Sequence, residues 1–134
     1  LPTGVVVLGH GSRREVAEAN QMLIELAEMV RREMSLELME IAFMNEKSGL
    51  QGLGQAIDEV VAAGATRIVV LPVFLAAGMH MQKDIPAEMA RARQKYPETD
   101  IVLTSHIGAD PRLVPILVEK LTVAIDGSAP AARP

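Results

Sequence analysis

The stretch Ile68-Val-Val-Leu-Pro-Val-Phe-Leu-Ala-Ala-Gly-Met-His80 decides the fold. Arg67–Val73, β-branched and apolar after its first residue, reads as a strand buried on both faces, as strands of parallel sheets are. Pro72 has no N–H to give to a ladder, so the pairing is expected to end there. Small residues and a glycine follow before His80. Working outward, Val5–Leu8 is a second such run, ended by Gly9-His10-Gly11-Ser12. Two strands therefore each end in a loop that carries a histidine. In open α/β sheets that carboxyl edge is where ligands bind.

The rest of the chain fills in the crossovers. Val16, Asn20, Leu23, Ala27 and Val30 step along one face of a helix, and Leu36–Phe43 alternates as a strand. Gly49–Gly54 is a glycine-punctuated loop, and Ala56, Ile57, Val60 and Val61 form a helical face that stops at Gly64. Asp84 followed by Pro86 reads as a helix start with aspartate as N-cap. Ile101–Thr104 is a fourth strand, and Asp110-Pro111 opens a last helix through Leu113, Ile116, Leu117 and Leu121. Four βα units with short connections predict a three-layer, doubly wound α/β fold: a four-stranded parallel sheet with helices on both faces, flavodoxin-like in outline. Residues 1–125 are expected to form one domain, with a proline- and alanine-rich tail over 126–134 that lacks order.

Composition excludes several classes. A net charge of −4 leaves no basic face for nucleic-acid phosphates. Tyr96, Phe43 and Phe74 are too few to make a base-stacking platform. The chain has no cysteine, which rules out disulfides, thiolate metal sites and cysteine nucleophiles. No apolar run approaches the ~20 residues of a membrane helix and no signal-peptide pattern opens the chain, so a cytoplasmic protein is expected. Leu1 stands where a methionine would begin a complete chain, so residues upstream are expected.

The candidate chemistry lies at the strand ends. Imidazole can exchange a proton near neutral pH and can ligate a transition metal. His10 and His80 together suggest both roles. Arg13 and Arg14 add positive charge beside a helix start that would attract a carboxylate or phosphate. Plainer readings exist: Gly-His-Gly-Ser as a tight turn with a capping serine, and His80 as a solvent-facing loop residue. His106, after the fourth strand, and Glu46 and Lys47, after the second, lie on the same edge. The dinucleotide pattern G-x-G-x-x-G, the nucleophile elbow G-x-S-x-G and the zinc motif H-E-x-x-H are all absent. A docking module of the flavodoxin-like kind would need an acidic phosphoacceptor, and none stands at the end of the first or third strand.

The pattern V-x-L-G-H-G-S-R near the start, with P-V-F-L-A-x-G-x-H-x-x-x-D-I-P in the middle, resembles the small single-domain sirohydrochlorin chelatases. These are the CbiX-type cobaltochelatases of the type II group, with nickel and iron relatives. Ile107-Gly-Ala-Asp-Pro-Arg-Leu113 fits the last βα junction of that family, and the resemblance runs from Val5 to Leu121. It implies ATP-independent insertion of Co2+, or of Ni2+ or Fe2+, into sirohydrochlorin, with no tightly bound cofactor and the divalent metal as a substrate. It implies that His10 and His80 bind the incoming metal, with His10 as proton acceptor. It also implies that Leu75, Ala76, Ala77, Gly78 and Met79 contact the tetrapyrrole. The assembly it implies is a homodimer, since small members resemble half of the longer two-domain chelatases. One loop departs from the family's E-P-S/T-I pattern: Asn45-Glu-Lys-Ser-Gly-Leu-Gln-Gly-Leu-Gly54 lacks the proline and is two residues longer. Ser48 takes the substrate-contact position without a gap, and Glu46 takes it with a shift. A reading from another class is a non-catalytic metal or tetrapyrrole carrier.

Overall fold

The computed structural model describes residues 2–13, 17–79 and 81–127. Among them, β1 (Thr3–Gly9), β2 (Leu38–Phe43), β3 (Arg67–Pro72) and β4 (Asp100–Leu103) form one sheet in the order β2-β1-β3-β4. Every pairing is parallel, with Val6 between Glu40 and Val70 and Leu8 between Ala42 and Pro72. Pro72 is the last residue of β3, as expected. Its missing N–H faces the β4 side, past the end of β4, so no ladder bond is lost.

Four helices complete the chain: α1 (Ala17–Met34), α2 (Leu53–Ala62), α3 (Met81–Lys95) and α4 (Val114–Asp126). Val6, Leu8, Ile68 and Val70 pack under Ile57 and Val60 of α2 and Met81, Ile85 and Met89 of α3. On the other face, Val7, Met39 and Phe43 meet Leu23 and Ala27 of α1. One face is therefore covered by α2 and α3 and the β1–β2 half of the other by α1, and the three-layer α/β architecture stands. The chain leaves β1 for β2 on one side and returns across β1 to reach β3. The switch point of the sheet thus lies between β1 and β3, whose following loops carry the two histidine motifs.

Three local expectations are corrected. The loop after β2 contains a 3-10 turn, Glu46–Ser48, and α2 begins at Leu53, inside the stretch read as loop. α3 begins at Met81, so Asp84 lies in its first turn and is not its N-cap. The apolar anchors Met81, Ile85, Met89 and Ala92 set that register, and Pro86 forfeits only one bond, to the Gln82 carbonyl. Asp110 does cap, but it caps a 3-10 turn, Pro111–Leu113, by accepting from the Arg112 N–H at 2.9 Å. α4 follows that turn and buries none of its side chains. It runs through Asp126, so the expected tail begins no earlier than Gly127, and residues 128–134 lie outside the described residues.

Candidate active site at the switch point

His10 is exposed at the carboxyl end of β1, with its Nδ1 3.1 Å from the Gly11 carbonyl. The loop that carries it is fastened from two sides. From β2, Met44 N–H donates to the Gly9 carbonyl at 3.0 Å and Asn45 N–H to the His10 carbonyl at 2.8 Å. The Asn45 side-chain amide donates to the Gly11 carbonyl at 3.2 Å. From α1, Asn20 is buried and binds both backbone groups of Ser12. Gly11 has φ +90, and a Cβ there would lie 3.0 Å from the Phe43 Cβ. Conformation and space both require glycine.

His10 opens onto a cleft of about 330 Å³ lined by Arg13, Met44, Asn45, Lys47, Met81 and Asp84. Two cations, one carboxylate and one imidazole thus converge where the loops after β1 and β2 meet the start of α3. Met81 is also a wall of a second, largely apolar hollow of about 160 Å³, with Phe74, Ala77, Ile85 and His106. Ala77 places the Leu75–Met79 loop on that hollow's rim. Leu75 and Met79 project into solvent, at 59% and 79% exposure. The loop is tied at both ends: Gly108 N–H donates to the Leu75 carbonyl at 2.8 Å, and Gln82 N–H to the Gly78 carbonyl at 3.0 Å. His106 stacks obliquely on Phe74, ring centres 5.8 Å apart, and does not line the His10 cleft.

His80 and Arg14 lie outside the described residues. His80 is bracketed in sequence by Met79 of the exposed loop and by Met81 of the His10 cleft. Of the two candidates after β2, Ser48 is buried and its hydroxyl accepts from the Leu50 N–H at 3.2 Å, an internal turn contact. Glu46 is exposed on the same turn and does not line the His10 cleft, whereas Asn45 and Lys47 of this loop do. Asn20 and Asn45 were missed as supports. The available signal was Asn20 itself, a polar residue within the apolar stripe of α1.

Glu88, one turn beyond Asp84 on α3, is perturbed chiefly by burial. Burial raises the Glu88 carboxyl above the ordinary glutamate range; Arg91 opposes the shift, and Asp84 and Glu46 add to it. Near the last turn, hydrogen bonds from Arg112 hold Asp110 at about 2. Among the described residues, no three histidine, cysteine, aspartate or glutamate side chains gather as a metal cage.

A parallel α/β sheet with a ligand-sized cleft at its switch point, lined by an imidazole, two cations and a carboxylate, defines a small-molecule site. The chain belongs to the CbiX family, which it matches over residues 4–124. It is 33% identical over 122 residues to a sirohydrochlorin cobaltochelatase of Sulfolobus acidocaldarius, covering 91% of this chain and 92% of that one. It is 29% identical over 117 residues to a sirohydrochlorin ferrochelatase of Priestia megaterium, covering 87% of this chain but 42% of that protein. Among solved structures it is similar to the sirohydrochlorin chelatase SirB of Bacillus subtilis subspecies spizizenii in complex with cobalt. There the TM-score is 0.80 at 31% identity, covering 91% of this chain and 50% of the other. The chain therefore spans nearly all of some relatives and about half of others. No helix of the described residues is long and apolar enough to cross a membrane.

Proposed function

We propose that this protein is a sirohydrochlorin chelatase that inserts a divalent ion into the macrocycle without ATP, with Co2+ as its metal substrate. Ni2+ and Fe2+ are the alternatives: imidazole affinity ranks Ni2+ above Co2+ above Fe2+, and supply decides among them in the cell. The observation that carries the reading is His10, held at the switch point by fastened backbone and opening on a cleft that Arg13 and Lys47 also line. Membership of the CbiX family supports it.

Metal insertion breaks two pyrrole N–H bonds and forms metal–nitrogen bonds, so two protons must leave as the ion enters. His10 first donates its ring nitrogen lone pair to the ion and, once the ion has passed to the macrocycle, accepts one of the protons as a neutral imidazole; the other leaves to water. His80 shares the metal with it. Two imidazoles hold the ion weakly enough to pass it to four nitrogen donors, whereas a full tetrahedral cage would trap it. Arg13 and Lys47 attract the peripheral carboxylates of the substrate, which offsets the net charge of −4. The Leu75–Met79 loop contacts the tetrapyrrole face, and the protein works as a cytoplasmic homodimer.

The test is an anaerobic absorbance time course of sirohydrochlorin with Co2+, comparing no protein, the wild type, His10→Ala and His80→Ala. Free-base bands should give way to metallated bands over many turnovers, and each variant should lose at least tenfold of that acceleration. Stoichiometric binding without acceleration would establish the carrier reading instead. Variants equal to the wild type would overturn the two-histidine assignment.

A further inference from the structure

We propose that α4 is an exchanged arm, which covers the open half of the sheet in a second copy of this chain. The proposal rests on the homodimer reading and names the surface that makes it.

Three observations meet here. First, α4 has one sharply apolar face, and no described residue buries it. Val114, Leu117, Val118, Leu121 and Ile125 recur at three- and four-residue spacing, within a third of the helix circumference. They are 52–78% exposed. The principal neighbour of α4 is the 3-10 turn that precedes it.

Second, the sheet has a vacancy of matching character. α1 lies over β1 and β2, where Val7, Met39 and Phe43 are buried. On the same face of β3 and β4, Val69, Leu71 and Val102 are only half-buried, as is Val73 just past β3. The flank of α1 beside them is apolar as far as Glu33, which ends the stripe: Met22, Leu26 and Met29 are 62%, 48% and 57% exposed. Its opposite flank carries Gln21, Glu25, Glu28 and Arg32. A right-handed β1-α1-β2 crossover turns the Met22, Leu26 and Met29 flank toward β3 and β4. Sheet and flank together form a trough with the character of a helix seat.

Third, the exposed area is too large for a self-sufficient chain. A compact monomer of 14.4 kDa exposes about 6,800 Å². This chain exposes 9287 Å². Residues 128–134 can contribute at most about 1,000 Å² even as extended chain. Roughly 1,500 Å² of excess remains, more than the ~800 Å² per partner of a standard specific interface. A second copy is the occupant that supplies helix and trough in equal number, so that a two-fold exchange closes both.

The absence of cysteine makes the exchange testable. Val102→Cys in the trough and Leu121→Cys on α4 are combined in one chain, treated with a short bis-maleimide and run on a denaturing gel. Light scattering gives the mass of the untreated protein. A dimeric mass with covalent dimers on the gel is the expected result. A dimeric mass with links only within single chains would mean that α4 closes over its own sheet, and a dimer with no link that α4 never reaches the trough. Either overturns the exchange while leaving the homodimer intact. A monomeric mass overturns both. As a second variant, Leu117→Glu with Leu121→Glu should halve the mass and keep the far-ultraviolet circular dichroism, because α4 buries nothing in its own chain. A dimeric mass for that variant, or loss of its secondary structure, also overturns the proposal.

Discussion

Asn20 of α1 grips Ser12 from both ends: its Oδ1 accepts from the Ser12 N–H at 2.7 Å, and its Nδ2 donates to the Ser12 carbonyl at 3.0 Å. A buried amide so engaged fixes the backbone two residues beyond His10. Asn20→Ala leaves two part-buried backbone groups without partners, at a cost of about 1–3 kcal/mol. Urea denaturation should show that loss. The freed loop should also slow metallation severalfold, with the Co2+ dependence less affected than the turnover rate.

Gly11 holds the other side of the same loop. At φ +90 an alanine is strained, and its Cβ would crowd the Phe43 Cβ and the Asn45 Cβ, 3.0 and 3.3 Å away. Gly11→Ala should destabilise by about 1–2 kcal/mol. Its effect on chelation should exceed its effect on stability, because the backbone that shifts is the one carrying His10. Comparing the denaturation midpoint with the rate of appearance of the metallated band separates the two. Equal stability and rate to the wild type would mean that the loop tolerates another conformation.

The strands were legible because β-branched runs such as Val5–Leu8 and Ile68–Leu71 have few alternatives, and their order followed from short crossovers. The placing of His10 at the sheet's carboxyl edge followed from the end of β1. Three features were hidden for physical reasons. The Asp84-x-Pro86 signal was outweighed by Met81, whose burial set the start of α3 one turn earlier. Ser48 and Glu46 could not be separated, because the local sequence does not say which side of a 3-10 turn meets the core. The last helix was legible through Leu117 and Leu121, but periodicity carries no information about which surface covers such a face.

Glu88 gives a pH signature. Its ordinary value is 4.5, burial raises it in the folded chain, and its Oε2 is buried without a partner. A raised carboxyl favours the folded state only while protonated, so ionisation costs stability as pH rises through the folded value. Glu88→Gln removes that cost. The variant should gain less than about 1 kcal/mol at pH 7, since Arg91 gives up a weak partner. The gain should shrink as pH falls and vanish below about 4.5. Thermal melts at pH 4 and pH 7 check it, and a gain that persists at pH 4 would point to packing instead of charge.

Lys47 separates binding from chemistry. It lines the His10 cleft with Arg13, while its neighbours Glu46 and Ser48 do not. If it attracts substrate carboxylates before and during insertion alike, its charge contributes equally to ground state and transition state. Lys47→Glu should then raise KM for the tetrapyrrole roughly threefold to tenfold and leave kcat near its original value. The difference should fade between 50 mM and 500 mM salt, because an exposed charge is screened over that range. The same substitution should leave KM for Co2+ little changed, since the imidazoles hold the ion. A fall in kcat with unchanged KM would move Lys47 from recruiting the macrocycle to acting on the proton transfer itself, and would reassign the cation beside His10 accordingly.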